Sequence, residues 1–400
     1  MTGHSNHNGI MVLLAGMMLS LVLGSLHAFS VFLESLEARF GAARSDVSLT
    51  YSLALACLTV GVLFGHLVYA RIRPAFLLVL LCLVAAAGST LAAGADSLAE
   101  LWLGYSLLFG GANGLGYGFA LQISAQANSK RKGLAMGLVT AAYALGAVIA
   151  PVPFEFLLQR SGFAAAMMGL AVVLVAIAPI AAGLLAKAGA ELKVSQPAEN
   201  KGAPPQRMLI VKMWLGYGTA AAAGLMAIGH ATGIARAGGL SDWQVLMAPI
   251  VIALLNMLGS LLGGRLADQA GVRLMLMVFP ALSAAVLITL ALFPDGIFVL
   301  LGLAAIGFTY GAVITVYPAA VATLFGADAA VRIYGRIFTA WGAAGLLAPW
   351  FAGYLYEAFG DYRIALAVAG GAGLTSLLTA GSLRLDTTET RQEKATQSGV

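Results

Sequence analysis

Two histidines stand at matching places in an interior that otherwise holds no charge. His27 lies in Leu26-His27-Ala28 and His230 in Gly229-His230-Ala231, each toward the far end of a long apolar run. Imidazole takes up and releases a proton near neutral pH, and its neutral form is tolerable in hydrocarbon where a fixed charge is not. A carboxylate brought against it favours protonation, and protonation tightens anion binding by the same factor. His27 and His230 are therefore the expected proton-linked groups of a small-anion site, their rings approaching each other across a cavity.

Other polar side chains recur at helical spacing. Asn113 and Tyr117 are four apart and share a helix face, as do Tyr310 and Tyr317, seven apart. Polar groups in hydrocarbon need partners. With Tyr143, Asn256 and Trp341, Asn113, Tyr117 and Tyr310 are expected to line the same wet cavity and bind solute. Nothing here makes a catalytic set. The chain has no H-E-x-x-H, no G-x-S-x-G and no P-loop, so neither an enzyme nor direct ATP drive is implied. Its two cysteines, Cys57 and Cys82, lie inside apolar runs, and no metal or cofactor is expected.

The elements that must position these residues are membrane spans. Of 400 residues, 60% are hydrophobic and 10% charged, against about 25% charged in soluble domains. Mean hydropathy is +0.91. That composition excludes a soluble enzyme, a disordered chain and a nucleic-acid-binding domain. Twelve apolar segments fall near 10–33, 47–70, 75–93, 98–122, 134–154, 163–186, 208–235, 243–264, 274–293, 297–325, 334–356 and 364–383. Helix is the only sensible state, since each span must satisfy its own backbone. No span carries Asp, Glu, Lys or Arg at its centre.

A polar linker holding Pro197, Pro204 and Pro205 divides the chain. The expected organisation is a six-helix bundle over 1–186, a cytoplasmic linker over 187–207, a second bundle over 208–383 and a cytoplasmic tail over 384–400. Of the 22 Lys and Arg, only Arg39, Arg44, Arg160, Arg236 and Arg363 fall on the side away from the termini. Basic residues collect in cytoplasmic loops, so both termini are placed inside.

The halves resemble each other. The stretch from Gly137 through Tyr143 to Pro151 aligns with that from Gly335 through Trp341 to Pro349. Parallel halves related by an axis along the membrane normal are a transporter pattern, with the solute site at their interface.

The sharpest motif is Gly264-Arg265-Leu266-Ala267-Asp268-Gln269-Ala270-Gly271-Val272-Arg273. It resembles the G-x-L-A-D-x-x-G-x-R loop of the major facilitator superfamily. Gly264, Arg265, Asp268, Gly271 and Arg273 are its expected gating residues. The equivalent loop of the first half keeps Arg71 but has Tyr69 where the acid would stand. Within that superfamily the chain resembles the oxalate/formate antiporter and monocarboxylate-transporter group. The resemblance is carried by Phe29-Ser30-Val31-Phe32, by Arg39 to Ser48, by Tyr310-Gly311-Ala312-Val313 with Tyr317-Pro318-Ala319, and by Gly360-Asp361-Tyr362-Arg363. It departs from the group in helix 8, which holds only Asn256 at mid-depth, and in helix 11, where Trp341 occupies the core. Such carriers commonly place a cation there.

The resemblance implies an all-α membrane protein: twelve transmembrane helices in two pseudo-symmetric six-helix bundles. Helices 1, 2, 4, 5, 7, 8, 10 and 11 surround the cavity. The function implied is secondary active transport of a mono- or dicarboxylate across the cytoplasmic membrane by alternating access, proton-coupled or by exchange. The alternative is proton-driven export of a neutral or amphipathic molecule. Expected partners are the solute, protons and the lipid bilayer, with no nucleic acid and no second subunit.

Overall fold

Helices occupy nearly all of the described residues, because apolar runs of this length leave the backbone no partner but itself. The structure is a computed structural model that describes residues 2–69, 71–127, 132–192, 207–325 and 327–383. Most of the expected linker, the tail 384–400, Lys130 and Arg131 lie outside the described residues, as does the side chain of Asp268.

Twelve helices follow in order: α1 (2–40), α2 (Arg44–Tyr69), α3 (Pro74–Ala93), α4 (98–127), α5 (132–161), α6 (163–187), α7 (207–237), α8 (Asp242–Ala270), α9 (Val272–Leu292), α10 (Ile297–Phe325), α11 (Ala327–Phe359) and α12 (Arg363–Gly381). Among the described residues no strand occurs. Among the described residues nine stretches are long and apolar enough to cross a membrane, one of them running through both α5 and α6. Val172, Phe298 and Leu378 stand more than half exposed on outer faces, as side chains solvated by hydrocarbon do.

Several ends differ from the expected spans. α5 continues past Pro151 as far as residue 161, where Gly162 at φ 79° turns the chain into α6. A side chain there would be strained, and glycine is not. α1 runs on through the amphipathic Leu33–Phe40 and stops at Gly41 in the left-handed region. Local chemistry sets other starts. Pro74 opens α3 after an extended Arg73, and Ser241 with Gln244 forms a capping box at the head of α8.

α3 packs against α6 and α9 against α12, outside the inner helices, while α2 meets α11 and α5 meets α8 between the halves. Close approach relies on small residues, as in other membrane bundles. A Cβ on Gly114 of α4 would lie 2.0 Å from the Leu58 carbonyl oxygen of α2.

Three helices leave regular geometry where the chemistry sits. Inside α1, Gly24–Phe32 is a nine-residue 3-10 segment that contains His27. Runs beyond three or four residues are uncommon and mark hinges or functional stretches. Within α4, Trp102–Phe109 is π-helical. α7 breaks at His230, whose φ −123° and ψ 17° interrupt the helix between Gly229 and Ala231.

Candidate functional site

The 3-10 segment of α1 is pinned by side chains from its neighbours. Asn113 Nδ2 donates to the Leu23 carbonyl (2.6 Å), where the helix changes geometry, and its Oδ1 accepts from Tyr143 Oη (3.0 Å). Tyr105 Oη donates to the Leu26 carbonyl (3.3 Å). Asn113 is fully buried. It therefore holds α1, α4 and α5 together rather than lining a wet surface.

His27 sits on this frame. Its Nδ1 is 2.6 Å from Tyr51 Oη of α2, and its ring meets Tyr51 and Tyr143 edge-on. The ring is half-buried. Its Nε2 has no partner among the described residues and is not among the fully enclosed unpaired polar atoms. His27 thus keeps one ring nitrogen unpaired near the junction of the halves, where Tyr51 meets Gly229 of α7.

Aromatic hydroxyls stand in both halves. Tyr117 packs on Tyr143 at 4.8 Å and shares a hydrogen bond with Thr140 (3.1 Å). From the second half, Trp341 Nε1 donates to Tyr310 Oη (2.8 Å) and stacks on Phe338. Of the expected residues, His27, Tyr117 and Tyr143 cluster in the first half, and Tyr310 and Trp341 pair in the second. Asn256 is half-buried on α8, where it packs against Gly311 of α10. Tyr317 is sealed beside Tyr217. Sequence reasoning missed Tyr51, although it lies seven residues after Arg44 on one polar face of α2 with Ser48 and Ser52.

His230 is placed differently. It is fully buried, with Nε2 2.7 Å from the Pro349 carbonyl and Nδ1 3.0 Å from Tyr362 Oη. A carbonyl only accepts, so Nε2 carries the proton and Nδ1 accepts from the Tyr362 hydroxyl. Tyr362 Oη accepts in turn from Arg44 Nη1 (2.9 Å), and Arg44 is paired in a fork with Glu37. Burial raises the Tyr362 phenol above its ordinary value, against the opposing pull of Arg44, so the hydroxyl keeps its proton. The structure does not bring the two histidine rings together, since Tyr51 lies between them, against Gly229 on one side and His27 on the other.

This chain belongs to a larger closure. The Ser45 amide, at the head of α2, donates to the Glu357 carboxylate of α11. Arg236 pairs with Glu34 (2.8 Å), Thr232 Oγ1 donates to the Ser30 carbonyl, and the Trp350 amide donates to Ser52 Oγ (3.1 Å). Among the described residues, these polar links between the halves all lie at the end where α1, α7 and α11 finish. The termini share the other end: α1 and α7 finish side by side at Glu34 and Arg236, and Lys212 near the start of α7 reaches Ser382 after α12. At that end Gly137 of α5, Gly264 of α8 and Gly335 of α11 face open space. Among the described residues, the polar links between the halves therefore close the end opposite the termini.

The gating loop lies on the termini side. Arg265 and Arg273 are exposed and, among the described residues, meet no carboxylate; Gly271 makes the turn at φ 88°. In the first half Arg71 Nη1 donates to the Leu67 carbonyl (3.1 Å). Tyr69, standing where the acid would be, donates to the Leu115 carbonyl of α4 (2.7 Å).

Two helical halves, sealed at one end around a polar aromatic centre, define a membrane carrier fold. The family model described as Major Facilitator Superfamily matches residues 9–349 and 213–399. The chain belongs to the major facilitator superfamily: it is a multi-pass membrane transporter and not an enzyme. It is 26% identical over 316 residues, 74% of this chain and 75% of the relative, to the uncharacterized MFS-type transporter YhjX of Escherichia coli (strain K12). Among solved structures it resembles the inward-open xylose transporter XylE from E. coli, with TM-score 0.76, 14% identity and coverage of 96% and 99% of the two chains. It also resembles a bacterial homolog of the human lysosomal transporter Spinster, inward-facing and unoccupied, with TM-score 0.73, 14% identity and coverage of 97% and 99%.

Proposed function

We propose that this protein carries a small monocarboxylate together with a proton by alternating access across the cell inner membrane, with both termini cytoplasmic. The excess of Lys and Arg on the termini side supports that orientation. The observation that carries the reading is His27, half-buried, held by Tyr51 at Nδ1 and with no partner for Nε2 among the described residues. No Lys or Arg stands at mid-depth in any span, so His27 is the group that can answer a carboxylate's charge by taking up a proton. One such group suits one carboxylate, which favours a mono- over a dicarboxylate. Tyr310, whose oxygen accepts from Trp341 and whose own proton has no acceptor among the described residues, supplies a neutral donor, and Tyr143 and Trp341 supply aromatic walls for the rest of the solute.

His230, with both nitrogens engaged, belongs in this reading to the closure on the external side. The test is uptake into proteoliposomes of labelled monocarboxylates and dicarboxylates, with and without an imposed pH gradient. A monocarboxylate should accumulate when the gradient is imposed, and His27→Gln should flatten the pH dependence while leaving the folded carrier intact. Uptake of uncharged solutes alone, unaffected by His27→Gln, would overturn the proposal and favour a carrier of neutral or amphipathic molecules, a reading to which the aromatic lining also lends itself.

A further inference from the structure

A cleft of about 400 Å³ opens on the outer side of the second half, between α7, α11 and α12, away from the central space. Small residues form its floor, among them Gly218 and Ala222 on α7, Ala344 on α11 and Ala369 on α12. Its rim is Trp214, Leu347 and Phe351, each more than a third exposed. From Ala340 to Leu355 it runs about 22 Å along α11 at 1.5 Å per residue. That is most of the ~30 Å hydrocarbon thickness. Its depth places it among acyl chains.

Two cations stand in register with the cleft at its termini-side mouth. Lys212 is three residues before Leu215 and seven before Thr219, and both of these line the cleft. Arg336 is four before Ala340 and seven before Ala343, both also lining residues. Such spacings put each cation on the cleft face of its helix. A hydrogen bond from Trp214 Nε1 to Thr339 Oγ1 (2.9 Å) ties the two helices just inside them. Lys212 Nζ donates to the Ser382 carbonyl (3.1 Å), which leaves two of its three protons free. Among the described residues neither cation meets a carboxylate. An apolar slot at acyl depth with two cations at headgroup level is complementary to an anionic phospholipid.

We propose that this cleft binds one anionic phospholipid from the leaflet on the termini side, with an acyl chain between α7, α11 and α12 and the phosphate against Lys212 and Arg336. The site lies behind the solute-facing surfaces of α7 and α11, so its occupant is a bound lipid and not cargo.

The test is native mass spectrometry of the purified full chain, delipidated and then offered phosphatidylglycerol or phosphatidylcholine of the same acyl composition. The wild-type protein should retain phosphatidylglycerol about thirtyfold better, the scale set by two basic residues beside an anionic headgroup. The double variant Lys212→Gln/Arg336→Gln should bind the two lipids equally. Leu347→Trp, which fills the exposed rim, should reduce retention of both. Equal retention by the wild-type protein, or a headgroup preference that survives the double variant, would overturn the assignment of the cations. Retention unchanged in Leu347→Trp would overturn the assignment of the cleft. A dimer that dissociates on Leu347→Trp would show that a second copy of the chain covers this face instead.

Discussion

Replacing Tyr362 by Phe removes one oxygen that serves two partners. Its ring is almost fully buried and packs against Tyr356 and His230, so the phenylalanine ring retains its place. Lost are the bond from Arg44 Nη1 and the bond to His230 Nδ1. Arg44 keeps Glu37, but His230 Nδ1 is left as a buried acceptor with no donor, at a cost of about 1–3 kcal/mol. That cost is internal to the second half; the bond that joins the halves is the one from Arg44 on α2 to Tyr362 before α12, a charge-assisted bond of about 1.5–3 kcal/mol whose loss falls on the state closed opposite the termini. At 1.4 kcal/mol per tenfold, the open-outside population should rise roughly 10- to 150-fold.

The assay is labelling of Ser52→Cys by a membrane-impermeant maleimide, in a Cys57→Ser background. Ser52 Oγ accepts from the Trp350 amide of α11, so that site is sealed in the present state. Labelling from outside should accelerate in Tyr362→Phe by the same factor. Tyr354→Phe, at an exposed ring on α11, should change nothing. An unchanged labelling rate in a folded, membrane-inserted Tyr362→Phe protein would refute the argument that this oxygen holds the closure.

Three further outcomes follow from other contacts. Gly114→Ala puts a Cβ 2.0 Å from the Leu58 carbonyl oxygen and should destabilise the α2–α4 contact by about 1–3 kcal/mol, read as a lower melting temperature in detergent. Trp341→Phe preserves stacking on Phe338 but removes the hydrogen bond to Tyr310; it should raise KM for uptake by about tenfold with expression unchanged. Asp268→Asn, in the last turn of α8, should slow transport more than it weakens solute binding, checked by comparing uptake rates with equilibrium binding.

The spans were legible because hydrophobic runs and their polar boundaries are local properties of the chain. The repeat was legible for the same reason. It aligns Tyr143 with Trp341, and each donates its polar hydrogen to the helix beside it, to Asn113 on α4 and to Tyr310 on α10. Other features depend on which ends meet. Arg44 and Tyr362 are 318 residues apart, and nothing in either neighbourhood announces the other. The same blindness joined His27 and His230 as a facing pair. Their depth is equal by sequence, but the partners that fill the space beside them are not. His230 finds a carbonyl at Pro349, while His27 finds a hydroxyl at Tyr51. The nine-residue 3-10 segment was also hidden, because its geometry depends on side chains from α4 and α5.

The hydroxyl of Tyr362 is shared, accepting from Arg44 while donating to His230, and His230 in turn clasps the backbone of α11 at Pro349. Of that row only the Arg44 bond joins the halves; Tyr362, His230 and Pro349 all belong to the second. The socket that receives the guanidinium is thus assembled before the halves meet, and reclosing needs no rearrangement within it. Substitutions at His230 should therefore slow reclosing, whereas substitutions at Arg44 should shorten the dwell time of the closed state.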